Sequence, residues 1–198
     1  QMKIAVLLGS IRLGRQSHKA AHYLVDQWNR VEGVEVSLID LSVHRLPMME
    51  ERYNMHPNPP ALVNEIGAEL EAADAVVFMS PEYNGSYSGV LKNAVDYFAR
   101  HAISGKPVGV VATSAGPLGG INASHRMQDL VLAIGAYPLP YKLLLPQVHT
   151  AFDEQHLVQD EKTEAAVRKF IEEFTWFARA LVQGRAEREK TPSAALAS

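Results

Sequence analysis

The sequence predicts an α/β fold, a three-layer sandwich in which a five-stranded parallel sheet carries helices on both faces. Three observations support it. Short, wholly apolar runs recur at residues 4–8, 75–79 and 108–112, and a strand with no polar alternation is buried on both faces, as in a parallel sheet. Between the runs lie stretches whose apolar residues fall at helical spacing. The two patterns alternate as β-α-β-α-β-α-β-α-β-α, so the helices serve as the crossovers.

Taken in order, the first strand, residues 4–8, ends at Gly9, and Ala21, Leu24, Val25 and Trp28 then form one helical face with Ser17 as its N-cap. Gly33 closes that unit, and residues 34–39 make the second strand, followed by Asp40. Residues 44–60 are rich in proline and methionine and show no period. A connection this long is functional or part of an interface. His44 and His56 lack a third ligand at metal spacing, so no metal is expected. Val63, Ile66, Leu70 and Ala73 mark the second helix, and Leu91, Ala94, Val95 and Phe98 the third. The fourth follows with Met127, Leu130, Val131 and Ile134. Residues 137–145 are apolar but carry Pro138 and Pro140, which suits an edge strand. The last helix shows a broad stripe of Val167, Phe170, Ile171, Phe174, Phe177 and Leu181. Residues 2–183 are therefore expected to form a single domain, and 184–198 a disordered tail.

Composition excludes several functions. The 198 residues are 47% hydrophobic and 21% charged, with a net charge of -3, which gives no basic footprint for nucleic acid or an anionic membrane. There is no cysteine, so disulfides and thiolate chemistry are out. No apolar run approaches a membrane span, and no signal-peptide pattern precedes the first strand, so a cytoplasmic protein is expected.

Three loops stand out, after the first, third and fourth strands, and parallel topology brings all of them to one edge of the sheet. The first, residues 9–17, holds Gly9, Gly14, Ser10, Ser17, Arg12 and Arg15 ahead of a helix N-terminus. Backbone N–H groups, hydroxyls and guanidinium converging there suit a phosphate. It is not a P-loop, because Arg15-Gln16 replaces Lys-[ST], and Ile11 breaks a dinucleotide G-x-G. An ordinary capped surface turn is the plainer alternative. The second loop, Pro81-Glu82-Tyr83-Asn84-Gly85, offers backbone donors and the face of Tyr83 to a planar heteroaromatic ring. The third, with Ser114, Gly116, Gly119 and Gly120, is nearly all backbone and allows close approach. Phosphate at one end and a polar-edged ring at the other describe a mononucleotide, with FMN favoured.

Gly9-Ser10-x-Arg12-x-Gly14-Arg15, Pro81-Glu82-Tyr83-Asn84-Gly85-Ser86 with Gly89-x-Leu91-Lys92-Asn93-Ala94-x-Asp96, and Ser114-Ala115-Gly116-x-x-Gly119-Gly120 resemble the NADPH-dependent FMN reductase family over residues 3–182. The resemblance implies a flavodoxin-like fold with strand order 2-1-3-4-5. It also implies an FMN phosphate held by Ser10, Arg12 and Ser17 with backbone around Arg15 and Gln16. Residues 81–85 would line one side of the flavin ring and 114–120 its other edge. NADPH or NADH would donate hydride, a small acceptor (quinone, flavin, azo compound or metal oxyanion) would leave with the electrons, and no side chain is needed as a general base. The family's dimers or tetramers imply a partner copy across residues 46–51. Asn122 stands where many chromate and quinone reductases carry Arg. Two other readings compete: a flavodoxin-type electron carrier without its own NAD(P)H site, and a P-loop-like nucleotide-binding protein.

Overall fold

The computed structural model describes residues 1–190. The strands are β1 (Met2–Leu8), β2 (Val34–Asp40), β3 (Ala75–Pro81), β4 (Pro107–Thr113), β5 (Tyr137–Pro138) and β6 (Leu143–Leu145). The helices are α1 (Ser17–Trp28), α2 (Ala61–Ala72), α3 (Gly89–Phe98), α4 (Ile121–Ala133), α5 (Val148–Ala151) and α6 (Glu161–Lys190), and a π-helical turn, Ala99–Ile103, follows α3. The sheet runs β2-β1-β3-β4-β5, with β6 also on β4, and every pairing is parallel. This is the strand order the resemblance implied.

Alternate residues of β1 enter two separate cores. Ile4, Val6 and Leu8 pack with Leu24 and Trp28 of α1 and Phe170 and Phe174 of α6. Ala5 and Leu7 pack with Ile66 and Leu70 of α2, Leu91 and Phe98 of α3 and Met127 of α4. The Trp28 indole is fully buried and donates to Thr175 Oγ1 (2.8 Å), so its one polar atom is satisfied.

Three expectations need correction. The edge strand over 137–145 is two short pieces, because Pro140, with no N–H, breaks the ladder after Leu139 and Gln128 Nε2 instead bonds the Leu139 and Pro140 carbonyls (2.9 and 3.2 Å). The tail expected from Gly184 is helical as far as Lys190. One glycine costs about 1 kcal/mol inside a helix, and the good helix formers after it, with Arg185 Nη1 on the Gly105 carbonyl (2.8 Å), outweigh that. Residues 191–198 of the expected tail lie outside the described residues. Ser17 is the first residue of α1, and Gln16 is the N-cap, with no side-chain capping bond.

The long segment after β2 wraps over α3. Asn93 Oδ1 accepts from Met49 N–H (2.9 Å), Asn93 Nδ2 donates to the Pro47 carbonyl (2.9 Å), and the buried Tyr53 donates its N–H to the Tyr97 carbonyl (2.9 Å). The segment is ordered by these bonds rather than by a period of its own.

Candidate functional site

Loops 9–16, 82–88 and 114–120 leave the C-terminal ends of β1, β3 and β4 and meet at one edge of the sheet. Gly9 sits where a Cβ would lie 2.6 Å from Leu91 Cβ, so only glycine lets β1 run this close to α3. Ser88 fastens the junction: its Oγ caps α3 by accepting from Leu91 N–H (3.1 Å) and donates to the Gly9 carbonyl (2.6 Å).

A cleft of about 210 Å³ opens between the loops. Ser10, Arg12, Gly14, Arg15, Gln16 and Ser17 form one wall, and Pro81, Glu82, Tyr83, Ser114 and Ala115 the other. Thr113 at the end of β4, and Val148 and His149 of α5, complete it. Ser17 Oγ and Thr113 Oγ1 are buried here without a hydrogen-bond partner. A buried hydroxyl left unpaired costs about 1–3 kcal/mol, so two of them lining one cleft mark a place for a ligand's acceptor atoms. The amides opening α1 point the same way by helix geometry, since Lys19 N–H already bonds the Gln16 carbonyl (3.1 Å) and those before it have no turn to bond to. The Arg12 guanidinium is exposed and has no partner among the described residues. This donor set fits a phosphate monoester.

Arg15 behaves differently. Its guanidinium forks onto Asp40 (Nη1–Oδ1 and Nη2–Oδ2, both 2.6 Å), and Nη1 also donates to the Ser10 carbonyl (2.8 Å). Burial raises the Asp40 carboxyl, but the Arg15 fork and the Ser42 N–H outweigh it and hold Asp40 below the usual carboxylate range. Gln16 turns its amide onto the Gly14 carbonyl (3.1 Å). Of the two arginines in this loop, only Arg12 has its charge to offer a ligand.

The second loop is a two-residue hairpin. Tyr83 and Ser86 exchange N–H···O bonds (2.8 and 3.1 Å) around Asn84 (φ 51°) and Gly85 (φ 77°), the pattern of a type I′ turn. Its two central amides remain unused by the turn, at the exposed tip beside Tyr83. Glu82 is engaged elsewhere: Oε2 accepts from Asn122 N–H and Ala123 N–H (3.0 and 3.1 Å) and Oε1 from Asn122 Nδ2 (3.1 Å). Its carboxylate thus caps the N-terminus of α4, which Gly120 leaves without a side-chain cap. Asn122 belongs to that cap.

In the third loop Ser114 and Ala115 line the cleft, whereas Gly119 and Gly120 lie beneath it. A Cβ at Gly119 would approach Leu144 Cβ to 2.9 Å and one at Gly120 would approach Ala112 Cβ to 2.9 Å. Both glycines serve packing at positive φ. Gly116 is exposed, and its carbonyl accepts from Ser114 Oγ (2.9 Å) and Gln147 N–H (3.2 Å).

Sequence reasoning missed Thr113, Val148 and His149, which reach the cleft from a strand end and a four-residue helix that carry no local signal. It also missed a second, largely apolar cavity of about 530 Å³ on the other side of Arg12 and Tyr83, walled by Ile11, Leu41, Leu46, Met48 and Val90 with Arg45 at its rim. Among the described residues no group of three or more His, Cys, Asp or Glu could hold a metal. Next to the loop after β1, His22 stacks on His156 (4.7 Å) and His18 meets it edge-on (5.7 Å). Burial, then the charges of Arg15, His156, His22 and Lys19, push the His18 pKa down.

Residues 2–150 match the family model described as NADPH-dependent FMN reductase. The chain belongs to the NADPH-dependent FMN reductase family. An NAD(P)H-dependent FMN reductase of Pseudomonas aeruginosa is 29% identical over 91% of this chain and 97% of its own length. An NADPH azoreductase of a Bacillus species is 33% identical over 75% of this chain and 79% of its own. Among solved structures, FerB, a flavoenzyme NAD(P)H:(acceptor) oxidoreductase from Paracoccus denitrificans, superposes with a TM-score of 0.76 at 29% identity, covering 91% of this chain and 98% of that one.

Proposed function

We propose that the chain is an FMN-dependent oxidoreductase that takes hydride from NADPH or NADH and passes electrons to a small acceptor such as a quinone, flavin, azo compound or metal oxyanion. The observation that carries this reading is the pair of unpartnered buried hydroxyls, Ser17 Oγ and Thr113 Oγ1, lining one cleft with the free Arg12 guanidinium. Family membership supports the cofactor and the donor.

Ser10, Arg12 and Ser17, with the amides opening α1, would hold the FMN phosphate. Pro81, Tyr83, Asn84 and Gly85 would flank the flavin ring, with Ser114 and Ala115 at its other edge. Bound FMN supplies the hydride- and electron-transfer chemistry. The protein contributes position and charge. Unused amides at the hairpin tip stabilise negative charge that develops beside them, as preorganised donors do in an oxyanion hole. Tyr83 borders both the polar cleft and the apolar cavity, so the ring position has an apolar surface on one side. Glu82, Gly119 and Gly120 act through the loops they hold.

The working form is a homodimer or homotetramer in the cytoplasm, with a second copy lying against the wrapped segment after β2. The exposed Met48 (78%), which lines the apolar cavity, and the exposed Val43 (72%) at the start of the segment support that contact. The test is an anaerobic absorbance spectrum of the FMN-loaded protein before and after adding NADPH. Flavin bands that bleach within the mixing time are expected. Bands that persist with NADPH but bleach with dithionite would replace this reading with an electron carrier, and failure to bind FMN would overturn it.

A further inference from the structure

We infer that Asp40 is a positioning residue that selects for the phosphate of the cofactor: it takes up Arg15 and so fixes the loop that receives the anion. The inference rests on the FMN reading above.

Asp40 is the last residue of β2, 7% exposed, and pairs in register with Leu8, two residues before Ser10. From there it serves two loops at once. Its carboxylate holds both terminal nitrogens of Arg15 and accepts the Ser42 N–H (2.9 Å). Its carbonyl accepts from Val43 N–H (3.0 Å) and His44 N–H (2.8 Å), at the start of the segment that wraps over α3.

The consequence for the anion lies in the third contact of Arg15, on the Ser10 carbonyl. A planar guanidinium with both terminal nitrogens engaged has its orientation fixed, so this third bond also fixes the Ser10–Ile11 peptide. A carbonyl held that way cannot turn toward an anion, where it would repel it. Gly9 is anchored at the start of the loop by Met79 and Ser88, but beyond it the other internal bonds are Arg15 N–H on the Arg12 carbonyl (3.1 Å) and Gln16 Nε2 on the Gly14 carbonyl, and Gly14 takes positive φ. Asp40 also cancels the Arg15 charge, so that the anion is met by Arg12, hydroxyls and amides rather than by two competing guanidinium groups.

Kd values for FMN and for riboflavin, which lacks the phosphate, are measured by fluorescence titration on the full chain and on Asp40→Asn, Arg15→Gln and the double variant, alongside each Tm. Asp40→Asn is expected to weaken FMN about tenfold while leaving riboflavin nearly unchanged, as the loss of a charge-assisted hydrogen-bond pair predicts. Arg15→Gln should do the same, and the double variant should lose no more than either single one. A merely structural role would lower Tm and weaken both flavins equally, which overturns the proposal. So would a gain in FMN preference in Asp40→Asn, since Arg15 would then be a phosphate ligand that Asp40 withholds. Should Asp40→Asn not fold, Arg15→Gln decides on the same ratio. A wild-type chain with no preference for FMN over riboflavin overturns this proposal, and one that binds neither flavin overturns the functional reading as well.

Discussion

The two ends of the sheet treat their polar groups in opposite ways. At the N-terminal edge, Lys3 N–H bonds Asp74 Oδ2 (2.8 Å), Lys106 Nζ closes the end of α2 on the Leu70 and Glu71 carbonyls (2.6 and 3.0 Å), and Arg179 reaches the Glu32 carbonyl (2.7 Å). Each of these groups is satisfied within the chain. At the C-terminal edge, Ser17 Oγ, His18 Nδ1 and Thr113 Oγ1 are buried and unpartnered. One edge is finished by folding, and the other needs a ligand to be finished. A surplus of donors at one end, set against closed accounts at the other, locates the site independently of any motif.

Substitutions at the two edges should therefore separate stability from binding. The largest effect is expected from Lys106→Met, which leaves the part-buried Leu70 carbonyl at the end of α2 without its partner. It should cost about 2 kcal/mol in a denaturant titration while leaving FMN affinity unchanged. A parallel loss of FMN binding would mean that the edges are not independent. Ser17→Ala should do the reverse, weakening FMN about tenfold, with the Tm of the flavin-free protein unchanged or raised because an unpaired buried hydroxyl is removed. A clear fall in that Tm would show that Ser17 Oγ has a structural partner and would break the comparison.

The smallest effect sharpens it. Burial and the surrounding cations hold the His18 pKa below its ordinary value, so between that lowered pKa and about 6.5 the unfolded chain binds the extra proton. Stability should therefore fall as pH drops from 7 toward 5. His18→Asn should flatten that slope by a fraction of a kcal/mol, with His22, His156, Arg15 and Lys19 still present; an unaltered slope would show that His18 does not carry it. Asp40, whose pKa is also depressed, loses its contribution only at lower pH, as the carboxylate protonates.

Much of the site was legible because the local chemistry is strong. Gly9, Ser10, Arg12 and Ser17 read as an anion loop from glycines, hydroxyls and a guanidinium beside a helix start, and the structure places Ser10, Arg12 and Ser17 along the cleft with Gly9 closing the junction behind it. The Asn84-Gly85 pair reads in sequence only as part of a ring-facing loop, although its I′ geometry follows from two residues that tolerate positive φ. Arg15 and Glu82 were not legible in their actual roles. A charged side chain in a binding loop looks the same in sequence whether it faces the ligand or an ion pair 25 residues away at Asp40, or a helix start 40 residues away at Asn122.

By itself the sequence determined the alternation of buried strands and amphipathic helices, the parallel sheet this alternation requires, and the three loops gathered at one edge. These follow from periodicity and connection length, which are local properties. Only the tertiary structure decided which loop groups are spent inside the protein and which stay available. It gave Asp40 to Arg15, the end of α4 to Glu82 and close packing to Gly119 and Gly120, and left Arg12, Ser17 and Thr113 for a ligand. The physical reason is that pairing and burial are set by neighbours in space, and those come from distant parts of the chain.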